Sequence, residues 1–375
     1  MKFINKQFTE TKLTSEYYLL NMLEFQKLNF ERTFKNNKSE LLYSIIDSSS
    51  VYLLVYFLFN SVHDYNSLKT RKISYHKSNE LSTIELFINN FDFKNFIDSL
   101  NVIGSLQERE RNLIELIYCD YELSKRSGGS ENYYKLKSKI SVCEKYLDRD
   151  LMFLYLQKLN IYCILEISDG KKELEKELFE NLKLMLEKNL YSIKNQSNFS
   201  ILDFRLILFS AIRVKEYEWA EYFINEYYDH LVEDSRQKML NFGYAFLFFE
   251  RKEFLNSLSI TNKLKFDSFV LYLDVNILRL QIFYELNYHS NAISLIDTFK
   301  HFLRNNKYVS EYVKTRHRNF LKLYSKLFKF NRNPVYHEMK ILREMIKDEK
   351  FLIKKNWLLD KINELITKQK LKVYL

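Results

Sequence analysis

One proline, Pro334, and five glycines are all the backbone punctuation in 375 residues. A sheet-rich or α/β chain of this length needs many such positions for its turns, so their scarcity excludes those classes. Alanine is nearly as rare, at Ala211, Ala220, Ala245 and Ala292. The cysteines Cys119, Cys143 and Cys163 are odd in number and lack CxxC spacing, which argues against a disulfide framework and a zinc site. Buried free thiols in a reducing compartment are the expectation. Gly104, Gly128, Gly129, Gly170 and Gly243 never form a GxGxxG or GxxxxGK[ST] loop to cradle phosphate. HExxH, GxSxG and HxE…PCxxC signatures are absent as well. The seven histidines are dispersed beside charged or polar residues. No catalytic, cofactor-binding or metal-ligating residue is nominated, and the expectation is a protein without enzymatic activity or cofactor.

Long hydrophobic runs are missing too. Residues 1–13 have no apolar core of the kind a signal peptide carries. The longest apolar run, 51–59, is about half of what a bilayer crossing requires. It reads as a core helix, and the chain reads as cytoplasmic, with no membrane span.

What is present is apolar and helix-forming. Hydrophobic residues make up 46% and aromatics 16%, enough to exclude disorder. Leucine, lysine and glutamate throughout, with almost no proline, favour long helices. The net charge of +10 arises from 58 basic residues interleaved with 48 acidic ones. A/T-rich coding alone would produce such lysine-rich composition, so the total points only weakly to a polyanionic partner.

Periodicity predicts helices over 14–36, 39–46, 51–66, 82–90, 93–100, 106–125, 132–146, 150–167 and 172–189. Ser48, Ser49 and Ser50 read as a helix start, 67–80 as an exposed connection and Ser127-Gly128-Gly129-Ser130 as a loop. Helix pairs are expected at 202–214 with 218–231, 235–250 with 253–264, and 267–286 with 290–304. Helices at 310–330, 336–347 and 354–368 complete the series, the last as a polar-faced cap. The regions expected are an N-terminal helical part (1–130), linking pairs (131–200), repeats (201–330) and capping helices (331–375).

Within 201–330 each pair turns through a charged or polar link into an aromatic: Val214-Lys215-Glu216-Tyr217, Arg251-Lys252-Glu253-Phe254 and Glu285-Leu286-Asn287-Tyr288. The aromatics Tyr217, Phe254 and Tyr288 lie 37 and 34 residues apart. That period belongs to stacked helix pairs. Tyr217-x-x-Ala220, Phe254-x-x-Ser257 and Tyr288-x-x-Asn291 resemble the start of the second helix in tetratricopeptide repeats. In that family the small residue admits close helix approach and the aromatic fills the space between repeats. Gly243 and Ala245 resemble the small positions of the first helix. The chain departs from the family in Asn291, larger than usual, and in lacking the proline that ends each repeat. It also resembles a group of uncharacterised bacterial proteins with divergent repeats of this kind. The resemblance implies an all-α, right-handed α-solenoid of antiparallel helix pairs.

An α-solenoid offers a curved surface for a peptide or protein segment, and a non-catalytic interaction scaffold is the leading expectation. Two features are candidate partner-binding elements. Lys314, Arg318, Lys322 and Lys326 stand at four-residue spacing on one helix. With Arg316, Lys329 and Arg332 nearby they could dock a nucleic-acid backbone or an acidic partner, or be balanced by acids of a neighbouring helix. The second is the aromatic segment 216–228, with Tyr217, Trp219, Tyr222, Phe223, Tyr227 and Tyr228. Six aromatics in so short a helix cannot all face inward, so Trp219, Tyr222 and Tyr227 are candidate groove anchors, the alternative being that the aromatics fill core volume left by the scarcity of alanine.

Overall fold

The computed structural model describes residues 15–36, 39–75, 82–102, 108–125, 129–168, 170–191 and 199–374. These form 17 helices and, among the described residues, no strand. The all-α expectation holds. Contacts divide the chain once, into Met1–Val214 and Lys215–Leu375. The division falls between the two helices expected to form the first repeat pair, so each unit is described by itself.

The first unit contains α1 (Ser15–Lys35), α2 (Ser39–Tyr75), α3 (Thr83–Asn90), α4 (Phe93–Val102), α5 (Glu108–Lys125), α6 (Gly129–Cys143), α7 (Arg149–Ser168), α8 (Leu174–Glu187) and α9 (Ile201–Arg213). Helix α1 packs along α2, α2 and α4 pack on α5, and α5 to α9 pack each on the next. Several boundaries follow from local chemistry. Ser82 and Glu85 form a capping box ahead of α3: the Ser82 hydroxyl accepts from the Glu85 N–H, and the Glu85 carboxylate accepts from the Ser82 N–H at 2.8 Å.

Helix α2 corrects two expectations. It runs unbroken through Ser48–Ser50 and through 67–75, where a helix start and a connection were expected. The serine hydroxyls serve the helix instead of ending it. Ser44, Ser48 and Ser50 donate to the carbonyls of Leu41, Ser44 and Ile46 at 3.0, 2.8 and 2.9 Å. Such back-bonding satisfies a hydroxyl inside a helix, so a serine run need not be a cap. Residues 127–128 of the expected 127–130 break, and 195–198 of a polar loop expected over 195–200, lie outside the described residues.

The second unit contains α10 (Tyr217–Tyr227), α11 (Glu233–Glu250), α12 (Phe254–Lys263), α13 (Phe269–Glu285), α14 (His289–Asn305), α15 (Glu311–Arg332), α16 (Tyr336–Asp348) and α17 (Lys355–Tyr374). A 3₁₀ turn, Tyr228–His230, follows α10. Each helix packs on the next, and α11 also packs on α13 and α15 on α17. Leu280, Phe299, Phe320, Tyr324, Leu327, Met339 and Leu358, all fully buried, join α13 to α17 in one apolar core. The Tyr324 hydroxyl donates to the Leu280 carbonyl at 2.6 Å, tying α15 to α13.

The links between helices recur in backbone detail. Lys215, Lys252 and Asn287 adopt left-handed φ values of 65°, 64° and 58°. At Lys252 the Glu253 N–H bonds the Phe248 carbonyl at 2.8 Å and the Lys252 N–H bonds the Phe249 carbonyl at 3.0 Å. At Asn287 the Tyr288 and Asn287 N–H groups bond the Phe283 and Tyr284 carbonyls in the same way, at 2.9 and 3.2 Å. This double bond pattern satisfies the last carbonyls of a helix and ends it. The next residue has φ/ψ of −82°/65° at Glu216, −85°/62° at Glu253 and −83°/75° at Tyr288, after which α10, α12 and α14 begin.

Candidate interaction surfaces

That recurrence shifts the register read from the sequence. Tyr217 and Phe254 are the first residues of their helices, but the equivalent of both is His289, not Tyr288. Tyr288 is the flanking residue, 40% exposed, with its ring near Phe283. The small position three residues into each helix is therefore Ala220, Ser257 and Ala292, all fully buried. Asn291, which looked too large, is exposed and plays no part in the contact. The left-handed links themselves lie 37 and then 35 residues apart. Ala292 was available in the sequence, but a tyrosine at 288 imitates the aromatic two places better than a histidine at 289.

Close approach is plain at Gly243. A Cβ there would lie 2.7 Å from Cγ1 of Ile224, a fully buried side chain of α10. Ser257, in α12, reaches back through its hydroxyl to the Ala245 carbonyl at 2.7 Å. Tyr217 is half-buried with its hydroxyl 3.5 Å from the Glu250 carboxylate, and Phe254 packs its ring on Phe249.

The aromatics of α10 divide. Trp219, Phe223 and Tyr227 stack in order at one-turn spacing, with ring centroids 5.6 and 5.2 Å apart. Phe223 is fully buried, Trp219 and Tyr227 half-buried, and Tyr222 is 55% exposed on another face. The three candidate anchors do not converge on one surface. Helix α13 is buried around almost its whole circumference, from Leu271 through Tyr284, leaving no long open stripe along it.

The four spaced cations of α15 divide as well. A four-residue step drifts by about 40° around a helix of 3.6 residues per turn, so a long series leaves its starting face. Lys314 is buried and pairs with Glu311 at 2.9 Å; Arg318 shares that carboxylate at 3.2 Å. Lys322 and Lys326 are exposed, Lys326 beside the Met345 sulfur of α16.

The surface that sequence reasoning missed lies on α1 and α2. Val55, Leu58, Val62 and Tyr65 of α2 are buried on one side. On the other side Tyr43, Ile46, Leu53 and Phe57 are 80%, 50%, 56% and 47% exposed. With Ser50 they follow a three-four-three-four spacing, the seam of a helix prepared to pack on another helix. Leu28 and Phe34 of α1 are exposed as well, at 60% and 65%. Residues 51–59 had been expected to be buried on all sides; only one side is covered. Because α2 does not break at the serines, Glu40–Lys69 is long and apolar enough to cross a membrane, with mean hydropathy 1.6. Arg149–Ser168 meets the same criteria at 1.2 but is far more buried. The length of the first was not visible from the 51–59 run alone; that of the second was expected almost as it stands, at 150–167.

Several buried titratable groups are engaged between helices. Burial raises all three thiols, Cys143 and Cys163 to about 11, so they stay protonated at neutral pH and are poor nucleophiles. Glu177 of α8 accepts from the Tyr133 hydroxyl at 3.0 Å and the Lys137 ammonium at 2.5 Å, and Asn181 donates to the Tyr133 oxygen at 2.9 Å. Burial works to raise the Glu177 carboxyl, but the bonds from Lys137, Tyr133 and Tyr134 overcome it and hold it below its ordinary value. Asp120 of α5 pairs with Lys158 of α7 and accepts from Asn66 of α2. These networks join helices. Burial lowers the His317 imidazole, which hydrogen-bonds the Val313 carbonyl at 2.7 Å. Among the described residues no three His, Cys, Asp or Glu side chains are placed to hold a metal ion. The concavity lined by Lys340, Ile341, Arg343, Glu344, Met345 and Asp348 belongs to one helix, α16.

No family model, no curated protein and no solved structure matches this chain.

Proposed function

We propose that this chain is a non-catalytic, cytoplasmic interaction scaffold: a divergent helical-repeat protein that holds a helical segment of a protein partner. The repeat reading, an α-solenoid of tetratricopeptide type and right hand over 201–330, draws support from the recurring left-handed link and from the small buried residue three places into α10, α12 and α14. The partner reading rests on one observation, the exposed seam of Tyr43, Ile46, Leu53 and Phe57 on α2. Apolar side chains at alternating three- and four-residue steps fit the facing side of a second helix, and a patch of this kind marks an interaction site. The seam replaces the concave groove as the proposed binding surface, because α13 has no open stripe for a peptide. Protonated, uncrosslinked thiols fit a reducing compartment.

The length and hydropathy of Glu40–Lys69 favour one rival, a membrane-inserted α2. A photo-crosslinking residue at Tyr43 in the native cell separates the two. The scaffold predicts discrete protein adducts, lost when Ile46 and Leu53 become Asp and absent when the crosslinker sits at the exposed Lys176. Lipid adducts, or co-flotation of the chain with vesicles, would overturn it.

A further inference from the structure

The excess of positive charge is confined to one end of the chain. Residues 300–375 hold 20 Lys and Arg against 7 Asp and Glu; residues 1–299 hold 38 against 41. A coding bias acts on the whole chain alike and cannot place the entire excess in its last fifth. The density peaks in α15: between Tyr312 and His337 there are seven Lys and Arg and no acidic residue.

Burial sorts those seven. Lys314 is buried on Glu311, and Arg316 is half-buried with its guanidinium over the Tyr312 ring at 5.4 Å. The other five, Arg318, Lys322, Lys326, Lys329 and Arg332, are exposed. At 100° per residue they fall within about a third of the helix circumference, a stripe of about 21 Å. Among the described residues, Arg318 is the one of the five with an acidic partner, Glu311. Helices α13, α14, α16 and α17 pack against α15, and among the described residues they supply no carboxylate to Lys322, Lys326, Lys329 or Arg332.

We propose that this stripe binds the phosphate backbone of a nucleic acid without reading its sequence. Thr315 and Ser325, both exposed, share that face, Glu311 closes its N-terminal end on Arg318, and no apolar or aromatic side chain of α15 itself lies among the five cations. A protein partner would need a desolvated aromatic or aliphatic centre, and a bilayer would need apolar groups to insert. Cations interleaved with hydroxyls match what phosphates recruit. The inference is independent of the α2 seam, which lies in the other unit.

The test is fluorescence anisotropy of the full chain with a labelled mixed-sequence DNA duplex and a labelled single-stranded RNA. Five phosphate contacts give a log–log salt slope of about −4 to −5 on the duplex, a loss of a hundredfold or more between roughly 50 and 200 mM salt. Lys322→Glu with Lys326→Glu and Lys329→Glu should weaken binding at least about tenfold at low salt and bring the slope to about −2. These side chains are exposed, so the fold should persist, which circular dichroism checks. Lys94→Glu with Lys172→Glu and Lys176→Glu changes the net charge equally at exposed sites elsewhere and should leave binding within about twofold. The proposal is overturned by failure to bind either probe at low salt, by equal losses in the two triple variants, or by polyglutamate competing as well as nucleic acid at equal charge. The last result would assign the stripe to an acidic protein.

Discussion

At the scale of single residues, the unusual choice is lysine and asparagine where helix links most often use glycine. Left-handed φ crowds a Cβ against the following carbonyl at about 1 kcal/mol or more, and glycine avoids that cost. Asparagine is a common compromise at such a position, as at Asn287 and also Asn189, φ 54°. Lysine is not, yet Lys215 and Lys252 both adopt it. The bond pair at Lys252, with an exposed side chain that touches little, holds the conformation in place. Lys252→Gly should therefore raise stability by about 0.5–1 kcal/mol, read as a higher urea midpoint with unchanged slope. A loss of stability would mean that the lysine side chain contributes to the link in some way its geometry does not show.

At the scale of helices, the contact between α10 and α11 depends on Gly243. Alanine there gains about 1 kcal/mol in helix propensity but drives its methyl into Ile224. Ile224 is fully buried and cannot swing aside, so the overpacking cost of about 1–3 kcal/mol should dominate. Gly243→Ala should lower the melting temperature, and adding Ile224→Val should recover part of the loss. Strict additivity of the two in a double-mutant cycle would show that the helices do not meet there. Much of this level is legible from sequence. The helices of the second half fall within a few residues of their expected positions because apolar periodicity and charged links agree. The first half is harder: in α2, hydroxyls that return to the helix backbone look, in sequence, like those that cap one. The same merging of two expected helices hid the α2 seam, whose spacing crosses the supposed break. The α15 stripe was largely legible, Lys329 and Arg332 included, but even spacing in sequence conceals the drift that buries Lys314.

At the scale of the whole chain, contacts run mainly between helices adjacent or nearly adjacent in order, within two separate units. If each unit is stabilised chiefly by contacts of its own, a lesion in one should stay within it. Gly243→Ala supplies the lesion. In native-state hydrogen exchange it should speed the amides of α10, α11 and α12, while those of α6, α7 and α8 in the first unit keep their wild-type rates. The Tyr133–Glu177–Asn181 network and the buried Asp120–Lys158 pair brace the first unit without drawing on the second. Uniform acceleration across both units would mean that the chain unfolds as one cooperative body. The distinction bears on function as well. Locally stabilised units allow the α2 seam and the α15 stripe to be altered separately, so a charge reversal on α15 should leave crosslinking at Tyr43 intact.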